Sequence, residues 1–148
     1  MSERVDVTAL QRAAATSRSM IGPGIGMPAA IVLDDFGLLV HDAFGELPYH
    51  VGSSLRRKRG WRDVDVRLIL DDAAFTALGF GTPSLGSHEN PRWVAMVRAF
   101  SALGREMTGL PIDFQIQAQT PANERNKGEP RSCLGVHAML RRQARSEP

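Results

Sequence analysis

With 148 residues, 43% of them apolar and 23% charged, the chain has the size and balance of one folded domain around one core. No apolar run approaches the ~20 residues needed to cross a bilayer, and the opening MSERVDVTAL has no apolar core of the kind a secretory signal needs. The net charge of +2 excludes a polycation, and the single cysteine, Cys133, excludes an internal disulfide and points to a reducing cytoplasm.

Residues 1–20 carry a weak helical pattern, IGPGIGMP (21–28) is a glycine- and proline-rich linker, and 1–27 read as a loosely attached arm. A domain over 28–148 follows. Pro28 suits the first turn of a helix, and Ala30, Leu33, Phe36, Gly37, Val40 and Phe44 recur at helical spacing until GELP ends it. YHVGS (49–53) reads as a short buried strand that stops at glycine. DVDVRLIL (63–70) alternates, with Val64, Val66, Leu68 and Leu70 on one side and Asp63, Asp65, Arg67 and Ile69 on the other, which predicts a strand with one buried face.

DDAAFTALGFG predicts a short helix capped by Asp71 or Asp72, and GTPSLGSHEN a loop. Asn90 as N-cap, Pro91 in the first turn and a stripe of Trp93, Met96, Val97, Phe100, Leu103 and Met107 predict a long helix that Gly109 stops. IDFQIQAQ (112–119) alternates again, with Asp113, Gln115, Gln117 and Gln119 on its polar face. TPANERNKGEPRS reads as polar turns, and the C-terminal end as one short helix with a frayed basic tail. The order helix, strand, strand, helix, strand predicts an α/β (α+β) fold: a small, mixed sheet packed by helices.

Chemistry concentrates in HVGSSLRRKRGWRDVDVRLIL (50–70). If the two alternating strands are neighbours, Asp63, Asp65 and Asp113 converge. Three carboxylates so close repel one another, and a hard divalent cation, Mg²⁺ or Mn²⁺, is the usual remedy. Gly52 lets backbone approach a ligand, Ser53 and Ser54 supply hydroxyls, and the turn supplies N–H groups for phosphate oxygens. Arg56, Arg57, Lys58, Arg59 and Arg62 set positive charge beside a triphosphate or a polynucleotide.

VGSSLRRKRGWRDVDV resembles the signature of the DNA polymerase beta-like nucleotidyltransferase superfamily: a hydrophobic residue, Gly, Gly or Ser, a spacer, then Asp, a hydrophobic residue, and Asp or Glu. Here nine residues separate Ser53 from Asp63-Val64-Asp65, and IDF (112–114) resembles the family's third carboxylate between hydrophobic residues. The helices expected before the first and third strands also fit the family's order. The resemblance covers roughly residues 28–119. It implies that Asp63 and Asp65 hold metals bridging the nucleotide phosphates, that Asp113 holds the second metal and helps activate the acceptor hydroxyl, and that Gly52 and Ser53 bind the β- and γ-phosphates.

The implied activity is Mg²⁺- or Mn²⁺-dependent transfer of an NMP from an NTP to an acceptor hydroxyl, with RNA favoured over protein or small molecule by the basic loop and tail. Family members commonly carry a helical domain after this core. Fewer than thirty residues follow Gln119, so the chain resembles the minimal single-domain prokaryotic and phage members, with a second subunit or partner to complete the site. Two other readings use the same residues: a non-catalytic nucleic-acid-binding module using loop 56–62, or an inactive nucleotidyltransferase fold serving as a regulatory partner.

The remaining polar residues divide more evenly. His50 reads as a strand residue with a local hydrogen bond. His41, His88 and His137 have no metal-ligand spacing, which argues against zinc. Trp61 either stacks on a base or packs over its loop. Arg67, Gln115 and Gln117 share the aspartates' face, and Asn123, Asn126 and Arg131 are candidates to close over it.

Overall fold

The computed structural model describes residues 24–147. Helix α1 (Ala29–Phe44) follows Pro28 and ends at Gly45, whose φ of 85° gives the left-handed turn that stops it. Strand β1 (Tyr49–Val51) leads through Gly52 into one helical turn, α2 (Ser53–Arg56). The exposed loop 57–63 then enters β2 (Val64–Leu70), followed by α3 (Asp72–Phe75) and a kinked turn over Thr76–Phe80, where Gly79 leaves the helical region at φ 86°. The long helix α4 (Pro91–Thr108) precedes β3 (Ile112–Ala118), α5 (Gln119–Arg125), the two-residue β4 (Ser132–Cys133) and α6 (Val136–Ser146).

The four strands form one mixed sheet in the order β3-β2-β1-β4, so the expected α/β class holds. β2 and β3 run parallel, and β1 is antiparallel to both β2 and β4. The alternation read from the sequence is the alternation observed: Val64, Val66, Leu68 and Leu70 are buried, as are Ile112, Phe114, Ile116 and Ala118. That face packs on α1 and α4, where Phe36 meets Phe114 edge-on at 6.2 Å and Phe100 lies 5.4 Å from the same ring. The odd-numbered residues of β2 and β3 form the opposite face.

Caps appear where they were expected. Asp71 accepts from Ala74 N at 2.7 Å, and Asn90 Oδ1 accepts from Arg92 N and Trp93 N at 3.0 and 3.2 Å. Asp72 instead takes the N–H of Thr120, joining α3 to α5. Most of the 1–27 arm lies outside the described residues, but Ile25 is buried in the core and Gly24 lies against Ser54, Arg57 and Trp61.

The stripe on α4 needs one correction. Its buried residues are Trp93, Val97, Ser101 and Gly104, while Met96, Phe100 and Met107 are only partly covered. The cause is the sheet edge. β3 ends the sheet, and its outward backbone groups need partners. Trp93 Nε1 donates to Ile116 O at 2.9 Å, Arg105 Nε donates to Ile112 O at 3.0 Å, and Ser101 Oγ accepts from Phe114 N at 3.0 Å. Helix α4 thus replaces a missing strand with side-chain donors and acceptors. Ser101→Ala should cost about 1–2 kcal/mol, because it strands the buried Phe114 N–H; urea unfolding measures it, and a cost near zero would mean the edge is satisfied another way.

The α5 and β4 segments were not expected from the sequence. Of α5 only Ala122 is buried, and β4 has two residues, so neither has an apolar period to read. Helix α6 is longer than the short helix predicted because it docks on α1. Buried Asp34 accepts from Gly135 N and Ala138 N, each at 2.7 Å, and Arg141 and Arg142 pair with Asp35 and Asp42. Among the described residues, no helix is long and apolar enough to cross a membrane.

Candidate active site

The polar sheet face is the floor of a cleft of about 460 Å³. Register places its central residues. Asp65 on β2 lies directly beside Asp113 on parallel β3, and opposite Val51 on β1. Arg67 lies beside Gln115 and opposite Tyr49, and Ile69 lies beside Gln117. Leu85 and His88 border the cleft from the loop before α4, and Arg125, Asn126, Glu129, Pro130 and Arg131 border it from the segment after β3. Asp113 opens onto an adjoining groove along α4, which shares Gln115 and His88 with the cleft.

Gly52 is where the chain turns against the carboxylates. Its φ of 82° is a conformation that side-chain-bearing residues avoid, and a Cβ there would collide with Asp65 Oδ2. The turn's backbone and the Asp65 carboxylate therefore share one small space. Burial pushes the Asp65 carboxyl above its ordinary value; Arg67 opposes this, while Asp113 and Asp63 add to it. Ionised Asp65 is thus held at a cost.

Arg67 is the main feature that composition did not predict. Its side chain is only 15% exposed. Nη1 donates to Asp113 O at 2.7 Å and to Val66 O at 3.2 Å, while Nη2 lies 3.5 Å from Asp65 Oδ1 and 3.4 Å from Asp113 Oδ2. One guanidinium therefore bridges both carboxylates.

The remaining predicted residues separate into those brought to the cleft and those that are not. Gly52 and Arg56 border it, and Arg56 Nη1 donates to Glu129 Oε2 at 3.1 Å across its mouth. Ser53 opens α2 and is half-buried. Ser54 is turned away from the role expected of it: it is fully buried and shares a 2.7 Å hydrogen bond with His50. Arg62, with Arg57, Lys58 and Arg59, lies on the exposed loop rather than on the cleft wall. Trp61 packs against the core. Asn126 and Arg131 do border the cleft, and Asn123 holds Arg131 at 3.1 Å.

Asp63 precedes β2 and is exposed, although its charge reaches Asp65. Among the described residues, no three or more His, Cys, Asp or Glu side chains gather closely enough to hold a metal. Donor chemistry still fits a hard divalent ion, since the set is all carboxylate oxygen and two members stand in register. Burial pushes the Cys133 thiol up to about 12, which disfavours the thiolate a nucleophile needs.

His50 gives the site a pH-dependent support. Burial lowers it to about 4, so it is neutral at pH 7. The unfolded chain, with an ordinary histidine near 6.5, binds more protons between those values. Stability from neutral His50 is therefore complete above pH 6.5 and is lost as pH falls towards about 4, by roughly 3 kcal/mol in all. His50→Gln, which cannot titrate, should flatten that part of the stability–pH curve measured by denaturant unfolding.

No protein-family model, curated protein or solved structure matches the chain.

Proposed function

We propose that this protein is a metal-dependent nucleotidyltransferase that moves an NMP from an NTP to an acceptor hydroxyl, with pyrophosphate leaving. The observation that carries this reading is the in-register pair Asp65 and Asp113, with the Gly52 turn closed against Asp65. The spacing of Gly52, Ser53, Asp63 and Asp65 that raised the resemblance supports it from the sequence.

Asp65 and Asp113 would hold Mg²⁺ or Mn²⁺, which when bound neutralises phosphate charge and lowers the barrier to its displacement. The chain's own groups do the rest. The turn at Gly52 offers backbone N–H groups to phosphate oxygens. Arg56, Arg125 and Arg131 border the cleft and attract the triphosphate. Asp113 faces the adjoining groove, so an acceptor hydroxyl entering there would give it a proton as the new P–O bond forms and the bond to pyrophosphate breaks. The exposed Arg57, Lys58, Arg59 and Arg62 favour a polyanionic acceptor, RNA first.

A second reading draws on Arg67. It already neutralises part of the acidic pair, which suits a non-catalytic RNA-binding module. The test is to incubate the chain with each labelled NTP, Mg²⁺ or Mn²⁺ and total RNA, beside the Asp65→Ala, Asp113→Ala double variant. Label transfer by the wild type alone supports the transferase. RNA retention that survives chelation, with no transfer of any nucleotide, supports the module instead.

A further inference from the structure

We propose that Arg67 is the resident counter-cation of the Asp65–Asp113 pair, a positioning residue that competes directly with a divalent ion for the place between the two carboxylates. The inference rests on the transferase reading of this site. It names what regulates metal entry there.

The geometry makes this a fixed device rather than a passing ion pair. The guanidinium is anchored first to backbone: its shortest contacts are to the carbonyls of Asp113 and Val66, at 2.7 and 3.2 Å. Both belong to the strands that carry the acids. The carboxylate contacts are longer, 3.4 and 3.5 Å, beyond the ~2.7–2.9 Å of a strong charge-assisted bond. Arg67 is therefore held in the bridging place by the sheet and does not depend on the carboxylates to stay there. It offsets their repulsion while leaving their lone pairs incompletely used.

A cation binding between Asp65 and Asp113 meets a like charge a few ångströms away, in a half-buried setting where screening is weak. Entry requires that the guanidinium leave its carbonyls or that the ion accept a partial donor set. Either way Arg67 lowers resting affinity for the divalent ion. The planar fork matters as well as the charge, because one group must reach two carbonyls and two carboxylates at once.

The test is Mn²⁺ titration of the full chain without nucleotide, followed by electron paramagnetic resonance of the free ion. The proteins are the wild type, Arg67→Met, Arg67→Lys and the Arg67→Met, Asp65→Asn double variant, with circular dichroism to show folding. Arg67→Met should bind Mn²⁺ at least about tenfold more tightly than the wild type, on the scale by which residues around a metal set its affinity. Arg67→Lys should fall between them, and adding Asp65→Asn should remove the gain. Should Arg67→Met not fold, Arg67→Lys carries the test, since lysine cannot keep all four contacts. Equal affinity in the wild type and the Arg67 variants overturns the inference and leaves the metal-site reading standing. Absence of Mn²⁺ binding in every folded variant overturns both.

Discussion

Asp65→Asn should lower nucleotide transfer by about 10³-fold, the scale of removing one preorganised electrostatic group from a reacting centre, while leaving the thermal midpoint unchanged or raised. The two halves of this result have one cause. Asp65 sits on the polar sheet face beside Asp113, within reach of Asp63 and against the Gly52 turn. Burial and those neighbouring charges push its carboxyl up. A carboxyl raised in the fold binds its proton more readily than in the unfolded chain. Stability is then lost as pH rises from the ordinary carboxylate value up through the raised folded one, and at neutral pH the ionised form is a net cost.

Asparagine has the same shape and none of that charge. It relieves the repulsion with Asp113 and gives up only one long contact to Arg67. The two halves together, a carboxylate costly to the fold whose removal abolishes transfer, would be the pattern of an active site. Transfer assays with each NTP and melting curves at pH 5 and 7.5 measure both halves. Full transfer by Asp65→Asn would remove Asp65 from the mechanism. A large drop in midpoint alongside the lost activity would mean that Asp65 serves the fold.

The largest loss of stability should come from Asp34→Ala. Asp34 is buried in α1, and its two oxygens accept from Gly135 N and Ala138 N at the start of α6. Alanine leaves both N–H groups without their partner in a site that water does not reach. Each such bond to a charged group contributes about 1.5–3 kcal/mol, so a total of about 3–6 kcal/mol and a midpoint lower by at least about 10 °C are expected. Asp34→Asn retains one acceptor and should lose about half as much. By contrast, Arg141→Ala and Arg142→Ala remove exposed ion pairs on the same helix and should each cost less than about 1 kcal/mol. If Asp34→Ala matched those two, α6 would be held by its apolar face alone.

Legibility followed the range of each interaction. The α4 helix was readable because Asn90, Pro91 and Gly109 act on their immediate neighbours. Its buried line was not, because Ser101 and Gly104 are buried by what β3's open edge and Phe36 require, and neither shows in an apolar pattern. Ser54 looked like a phosphate ligand by its place after Gly52. His50, four residues away in sequence and folded back on it, takes its hydroxyl instead.

By itself, the sequence determined that 63–70 and 112–119 hold strands with one apolar face each, since alternation is a property of single residues on a pleated chain; the strands run over Val64–Leu70 and Ile112–Ala118. It thereby determined that Asp65 and Asp113 lie on polar faces. Tertiary structure decided that β2 and β3 are parallel neighbours with residue 65 beside residue 113. Pairing is a relation between segments over forty residues apart, and a slip of one position would have sent one carboxylate to the core face. The same pairing brings the backbone of Asp113 to Arg67 and sets a guanidinium between the acids. That contact exists only because two strands met in one register, and it turns a pair of like charges into a site with its own cation.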